Sequence, residues 1–172
     1  MATFLESLGI LPSMEQSGNP IRSMWDGLSH RPGGKALFHV LLARMVPYTG
    51  SLGARILEVR EGYAKVELKE RRAVRNHLRS IHAIALANLA ELCGNIGVVY
   101  SLPNDARFIV KGIDIEYLKK ARGTLIATSE SPVPETSKRQ DYDVEVQIHD
   151  TAGDLVCRAT LHTLVGPKKA SK

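Results

Sequence analysis

Glu91 is the residue best placed by its surroundings to do chemistry. It sits in the run Ile81–Tyr100, where most other side chains are apolar or very small. A carboxylate in such a run is expensive unless it is paired, hydrated or in use. Two readings stand side by side. In one, its stripe faces water or pairs with an arginine; in the other, it is a general base or nucleophile lining a cleft. Two basic clusters could hold an anion: Lys69, Arg71, Arg72, Arg75 and Arg79 surround the single acid Glu70, and Lys119, Lys120 and Arg122 follow later. Solvated surface is the ordinary reading of such runs, and phosphate recognition is the functional one. Aromatic residues hardly interleave with these cations, so no nucleic-acid partner is expected.

Other chemistries find little support. Cys93 follows Glu91 by two residues with no histidine nearby, which gives no nucleophilic triad. Cys93 and Cys157 lack metal-ligand spacing and are too few for a disulfide framework, so they read as buried free thiols and no metal is expected. No glycine-rich loop cradles a phosphate.

The elements that must position these residues follow from length and periodicity. At 172 residues, with 44% apolar and 24% charged residues, the chain fits one globular domain. The net charge of +5 favours an anionic partner without choosing among them. No basic segment followed by an apolar stretch opens the chain, and Glu6 and Glu15 speak against a transit peptide, so a cytoplasmic setting is expected. His82, Asn88, Glu91 and Asn95 interrupt the longest apolar run, so no membrane span is expected.

Residues 1–34 read as an arm with a short helix near Ile21–Leu28, packing on the domain without carrying chemistry; residues 35–166 form the domain, and 167–172 a frayed tail. Lys35–Met45 has helical spacing and stops before Pro47. Ala54–Arg60 and Tyr63–Lys69 alternate around Glu61-Gly62 as a hairpin. Ile81–Tyr100 is the one long helix, with Ser80 as its N-cap. Four strands follow, at Phe108–Lys119, Thr124–Ser129, Tyr142–His149 and Leu155–Leu164. Such an order predicts an α+β fold, an antiparallel sheet packed on one central helix. Within that helix Ala83, Ala87, Ala90, Gly94 and Gly97 form a stripe of very small residues that admits a close neighbour. A third stripe holds Ile84, Asn88, Glu91, Asn95 and Val98.

The segment Asn76-His77-Leu78-Arg79-Ser80-Ile81-His82-Ala83-Ile84, followed by Leu89-Ala90-Glu91, resembles the signature of hot-dog thioesterases related to the phenylacetate-pathway type. In that pattern an asparagine precedes a His-Gly-Gly helix start by six residues, and an acid follows the asparagine by fifteen; Asn76, His82 and Glu91 reproduce both intervals. Leu102-Pro103 and Tyr117–Gly123 resemble more closely an uncharacterised, DUF4442-like subgroup of the superfamily. The similarity covers about residues 45–165.

This resemblance implies the hot-dog fold, a sheet wrapped around one long helix, and hydrolysis of an acyl-CoA or related thioester. His82 and Glu91 lie ~13 Å apart along a helix and on opposite sides of it, so they cannot act together in one chain. The family's dimers bring the acid of one helix to the start of the other, which implies an obligate homodimer, or a tetramer built from it. Carried over, Glu91 is the base or nucleophile, the Ala83 N–H stabilises the oxyanion, and Asn76 bonds the water or the thioester. His82 fixes the loop or touches substrate. Ala83-Ile84 stands where the family has its glycine pair, so Ile84 lines a reshaped cleft. Lys120 and Arg122 meet the nucleotide of coenzyme A, which enters as part of the substrate and not as a cofactor. Two alternatives stay open: a non-catalytic acyl-CoA or lipid-binding module, and a hydratase or dehydratase.

Overall fold

The computed structural model describes residues 18–168. The expectations for the first half of the arm and for most of the tail fall on residues 1–17 and 169–172, outside the described residues. Helix α1 (Pro20–Leu28) starts at Asn19, whose side chain accepts the Arg22 N–H, and Pro20 occupies the first turn, where its missing N–H does no harm. It buries Ile21, Met24, Trp25 and Leu28, and Trp25 meets Phe38 edge-to-face at 5.1 Å. Phe38 belongs to α2 (Gly34–Met45). Pro47 ends that helix, as its chemistry requires, but also opens a short third one, α3 (Pro47–Ser51).

Six strands form one antiparallel sheet in the order β1-β2-β4-β5-β6-β3. Their spans are β1 Arg55–Arg60, β2 Tyr63–Lys69, β3 Ala106–Tyr117, β4 Thr124–Glu130, β5 Gln140–Asp150 and β6 Leu155–Pro167. One face carries Val66, Leu125, Val146 and Leu161, fully buried. The other is charged, with pairs such as Arg158–Glu116 and Lys111–Asp141. Helix α4 (Ala83–Ser101) lies on the apolar face. The small stripe lets it approach closely: a Cβ on Gly94 would sit 2.2 Å from the Leu161 Cδ1. This is the α+β arrangement the element order predicts. By length and mean hydropathy, 1.4 over 18 residues, α4 is apolar enough to cross a membrane, but half of that window is buried inside the fold.

The start of α4 differs from expectation. The N-cap is His82, not Ser80, because His82 is extended and Ile81 pairs with Arg75 ahead of the helix. The Ile81 N–H donates to the Ala121 carbonyl and the His82 N–H to the Val74 carbonyl, while Ser80 is held by Asn76. At the other end α1 closes the helix. Asn19 Nδ2 donates to the Val99 carbonyl at 2.6 Å, and Arg22 donates to the Tyr100 and Leu102 carbonyls, both at 2.7 Å. These are the carbonyls a helix leaves without internal partners.

β3 is an edge strand paired on one side only, with β6. Its helix-facing residues Phe108, Val110, Ile113 and Ile115 are only partly covered. His39 of α2 fastens β1, its Nε2 accepting the Ile56 N–H at 2.7 Å.

Two outcomes follow from this packing. Gly94→Val overpacks the seam against Leu161 and lowers stability by about 1–3 kcal/mol, read as a reduced urea midpoint; an unchanged midpoint would mean the contact does not govern packing. Burial first, and the Arg55 charge second, lower the His39 pKa from its usual 6.5. The native state therefore resists a proton that the unfolded chain accepts below that value. The stability His39 contributes is complete above pH 6.5 and is lost as pH falls beneath it. His39→Gln, which keeps an acceptor for Ile56 and does not titrate, flattens this acid limb in urea titrations run between about pH 5 and about pH 7.5.

Candidate active site at the helix start

The loop before α4 is built around one carboxamide. Asn76 Oδ1 accepts the Leu78 N–H at 2.9 Å and both the N–H and the hydroxyl of Ser80 at 3.2 Å. The Asn76 N–H donates to the Ser80 carbonyl, and its own carbonyl accepts the Arg79 N–H. This closed knot drives Arg79 to φ +53, a left-handed conformation that a non-glycine residue adopts at a cost of about 1–2 kcal/mol. With Oδ1 saturated, Asn76 offers only its Nδ2 hydrogens, which have no acceptor among the described residues. It can therefore donate to a ligand and not accept from one.

His82 caps the helix by accepting the Ile84 N–H at Nδ1, 3.1 Å away. That geometry requires the tautomer carrying its proton on Nε2. The His82 carbonyl takes the Leu86 N–H, so the Ala83 N–H is left without an acceptor among the described residues. It sits at the positive end of the helix dipole. A cavity of about 330 Å³ lies here, lined by Asn76, Ser80, Ala83, Leu86, Tyr117 and Lys120 among others. Asn76 and Ala83, each with an unbonded N–H donor, thus line a single hollow with two lysines, Lys119 and Lys120, and no acid among the described residues lines it.

Tyr117 was not among the sequence candidates. Its hydroxyl donates to the Ala83 carbonyl at 3.2 Å, joining the end of β3 to the first turn of α4. Burial, and next the Cys157 thiol, push its pKa above the usual 10.0, so it remains a donor. Its position in the Tyr117–Gly123 segment was the only available signal, because strand end and helix start meet only in the folded chain.

Among the basic residues the structure separates fasteners from free charges. Glu70 accepts the Gly123 N–H and pairs with Arg75. The Gly123 amide first, then Arg75 and the nearby Arg122 charge, hold its carboxyl below the usual range against the opposing effect of burial. Arg71 donates to the Ser51 and Leu52 carbonyls, and Lys119 pairs with Asp150 and Asp154. Lys120 and Arg122 have no hydrogen bond or salt bridge among the described residues, and of the two only Lys120 lines the cavity.

Glu91 does not line it. Half-buried, it lies nine residues along the helix from His82 and has no hydrogen bond or ion pair among the described residues. Its stripe is polar and unsatisfied: the buried Oδ1 atoms of Asn88 and Asn95 have no partner among the described residues. Each such group costs about 1–3 kcal/mol. One chain therefore brings Asn76, Ala83 and Lys120 together, and leaves Glu91 and Arg122 outside. Ile84 projects from the helix start at 57% exposure, with Leu78, Tyr117 and Leu118 also exposed around the hollow.

Comparison with known proteins adds the family. A structural-genomics target protein, 30% identical, superposes with a TM-score of 0.75, covering 86% of this chain and 99% of its own. A Pseudomonas aeruginosa protein described as a probable thioesterase is 22% identical at a TM-score of 0.70, covering 77% and 95%. A hypothetical thioesterase from Streptococcus pneumoniae, solved with coenzyme A, is 20% identical at 0.61, covering 74% and 99%. The last two share the hot-dog fold with this chain. Among curated proteins none matches. The family described as "Domain of unknown function (DUF4442)" matches residues 34–165, and the chain belongs to that family, within the hot-dog fold.

Proposed function

We propose that the protein hydrolyses an acyl-CoA, or a related acyl thioester, at a site completed by a second copy of the chain. The observation that supports this reading is that Asn76, Ala83 and Lys120 line one hollow, while the Asn76 Nδ2 and the Ala83 N–H have no acceptor among the described residues. Thioester hydrolysis develops negative charge on the carbonyl oxygen, and preorganised donors stabilise it by about 2.7–4 kcal/mol each. The Ala83 amide at the helix start takes that part, and Asn76 donates to the same oxygen or orients the water. Hot-dog neighbours described as thioesterases, one of them holding coenzyme A, fit the same chemistry.

The missing component is a base, and the partner's Glu91 supplies it. Its carboxylate accepts a proton from water as the water oxygen bonds to the carbonyl carbon. The tetrahedral intermediate collapses, the C–S bond breaks, and the thiolate leaves with the proton that Glu91 returns. Direct attack by the carboxylate is the nucleophilic variant of this step. His82 sets the loop through its cap. Ile84 borders the acyl group, and Lys120 and Arg122 meet the phosphates of the coenzyme.

Pairing of two chains is supported independently of the chemistry. The unpaired edge of β3, its half-covered apolar residues, and the unsatisfied Asn88 and Asn95 beside Glu91 all lack something that a second copy can supply. A homodimer is the minimum, and a tetramer can be built from it. Two buried free thiols suit a reducing, cytoplasmic setting.

Purified protein is expected to release free thiol from a panel of acyl-CoAs, and Glu91→Ala to lower kcat by about 10²–10⁴. Equal rates for the two proteins, or none above background, would remove the hydrolase. Saturable binding without turnover would select the binding module instead, and turnover of enoyl or hydroxyacyl substrates the hydratase.

Asn76→Asp separates the two duties of that residue. It keeps the acceptor that builds the loop and loses the donor, so the melting temperature holds while kcat falls about 10²-fold or more. Mixing unfolded Glu91→Ala and Asn76→Asp chains and refolding them together restores about a quarter of the sites if each needs both chains. Recovery of no activity would place the two residues in independent sites.

A further inference from the structure

We propose that the hollow between α2, α3 and β1 binds a fatty acid: one long hydrocarbon chain ending in a carboxylate, with Arg55 holding the head group. This site is separate from the helix-start cavity and does not rest on the hydrolase reading. Its volume is about 590 Å³, the larger of the two.

The body of the hollow suits hydrocarbon. Ala36, Val40, Ala43 and Val46 of the α2 region form one wall, Ala54 and Ile56 of β1 another, and Leu92 of α4 also lines it. Spacings of four, three and three place the first four on a single helical face, so this face of α2 looks into the hollow and not into the core. Both sides of His39 are occupied, by the Ile56 N–H and by the Lys35 backbone. Thr49 is the only other neutral polar side chain in the lining. A ligand with several polar groups would lose its water contacts here and find few replacements.

The charges at the hollow have one sign. Lys35 and Arg55 line it and no acid does. Lys35 is already used, donating to the Leu57 carbonyl at 2.7 Å and lying over the Trp25 ring. Arg55 is exposed and has no partner among the described residues, although its charge is close enough to lower the pKa of His39. A guanidinium with open donors beside an apolar hollow matches a carboxylate on a hydrocarbon tail. Val40 and Val46, 49% and 42% exposed, leave the hollow open to such a chain.

The test uses the full-length protein and the fluorescent fatty acid cis-parinaric acid, with palmitate and hexadecanol as competitors. Saturable binding at one site per chain is expected, with palmitate competing at least 10-fold better than hexadecanol. Arg55→Glu should abolish that preference by weakening cis-parinaric acid and palmitate alike, with hexadecanol unaffected. Ala36→Trp with Val40→Trp, both at exposed positions, should fill the hollow and weaken binding at least 10-fold without changing sedimentation. Methyl resonances of Ala36, Ala43 and Ala54 in the unaltered protein should shift on titration with palmitate, a readout that needs no variant. Shifts confined to other methyls, binding indifferent to Arg55→Glu, or a change in oligomeric state in the filled variant, which would make the hollow a contact between copies, would each overturn the proposal.

Discussion

Helix α4 is apolar on two faces and lies against the sheet, and the rest of the molecule is arranged to permit that contact. Its axis can come close to the strands only because Gly94 offers no side chain where Leu161 stands. Two glycines in the interior of a helix lower its intrinsic stability by roughly 1 kcal/mol each relative to alanine. Burial of Leu86, Leu89, Cys93 and Ile96 compensates. The helix is thus held by its neighbours more than by its own propensity, and both of its ends must be satisfied from outside.

The two ends are treated differently, and the proposed function rests on the difference. At the C-terminal end Asn19 and Arg22 donate to the Val99, Tyr100 and Leu102 carbonyls. At the N-terminal end His82 satisfies one N–H and the Ala83 N–H remains open. A closed end is structure; an open end next to a hollow is a place where negative charge can be received. The strained turn at Arg79 and the saturated Asn76 oxygen keep the loop rigid, so the remaining Nδ2 donor points from a fixed base.

Polar groups on the third stripe of α4 make the same point by their lack of partners. Among the described residues Asn88 and Asn95 bury oxygens without donors, and Glu91 stands between them with no cation. On the edge strand β3, Phe108, Val110, Ile113 and Ile115 are half covered. An isolated chain leaves both sets of groups wanting, one polar and one apolar. Both sets of groups are what the proposed dimer would have to cover.

Much of this was legible in the residues. The β2 hairpin strand, the four strands after the helix and the two helical runs before β1 come from periodicities that local sterics impose, and the strand order alone specified an α+β layout. Asn76, His82 and Glu91 stood out by type and interval, and the 13 Å rise along a helix was enough to separate His82 from Glu91 within one chain. Other features required the folded chain. Ser80 looked like the cap because serine is a good one, yet pairing of Ile81 with Arg75 holds it extended and passes the cap to His82. Tyr117 reaches Ala83 across 34 residues, and which cations are spent on Glu70, Asp150 or Asp154 depends on which loops meet. The apolar residues of Lys35–Met45 announced a helix but not that one of its faces would border a hollow. Type and spacing are properties of neighbours along the chain; partnership is a property of neighbours in space, and only the packed sheet and helix decide it.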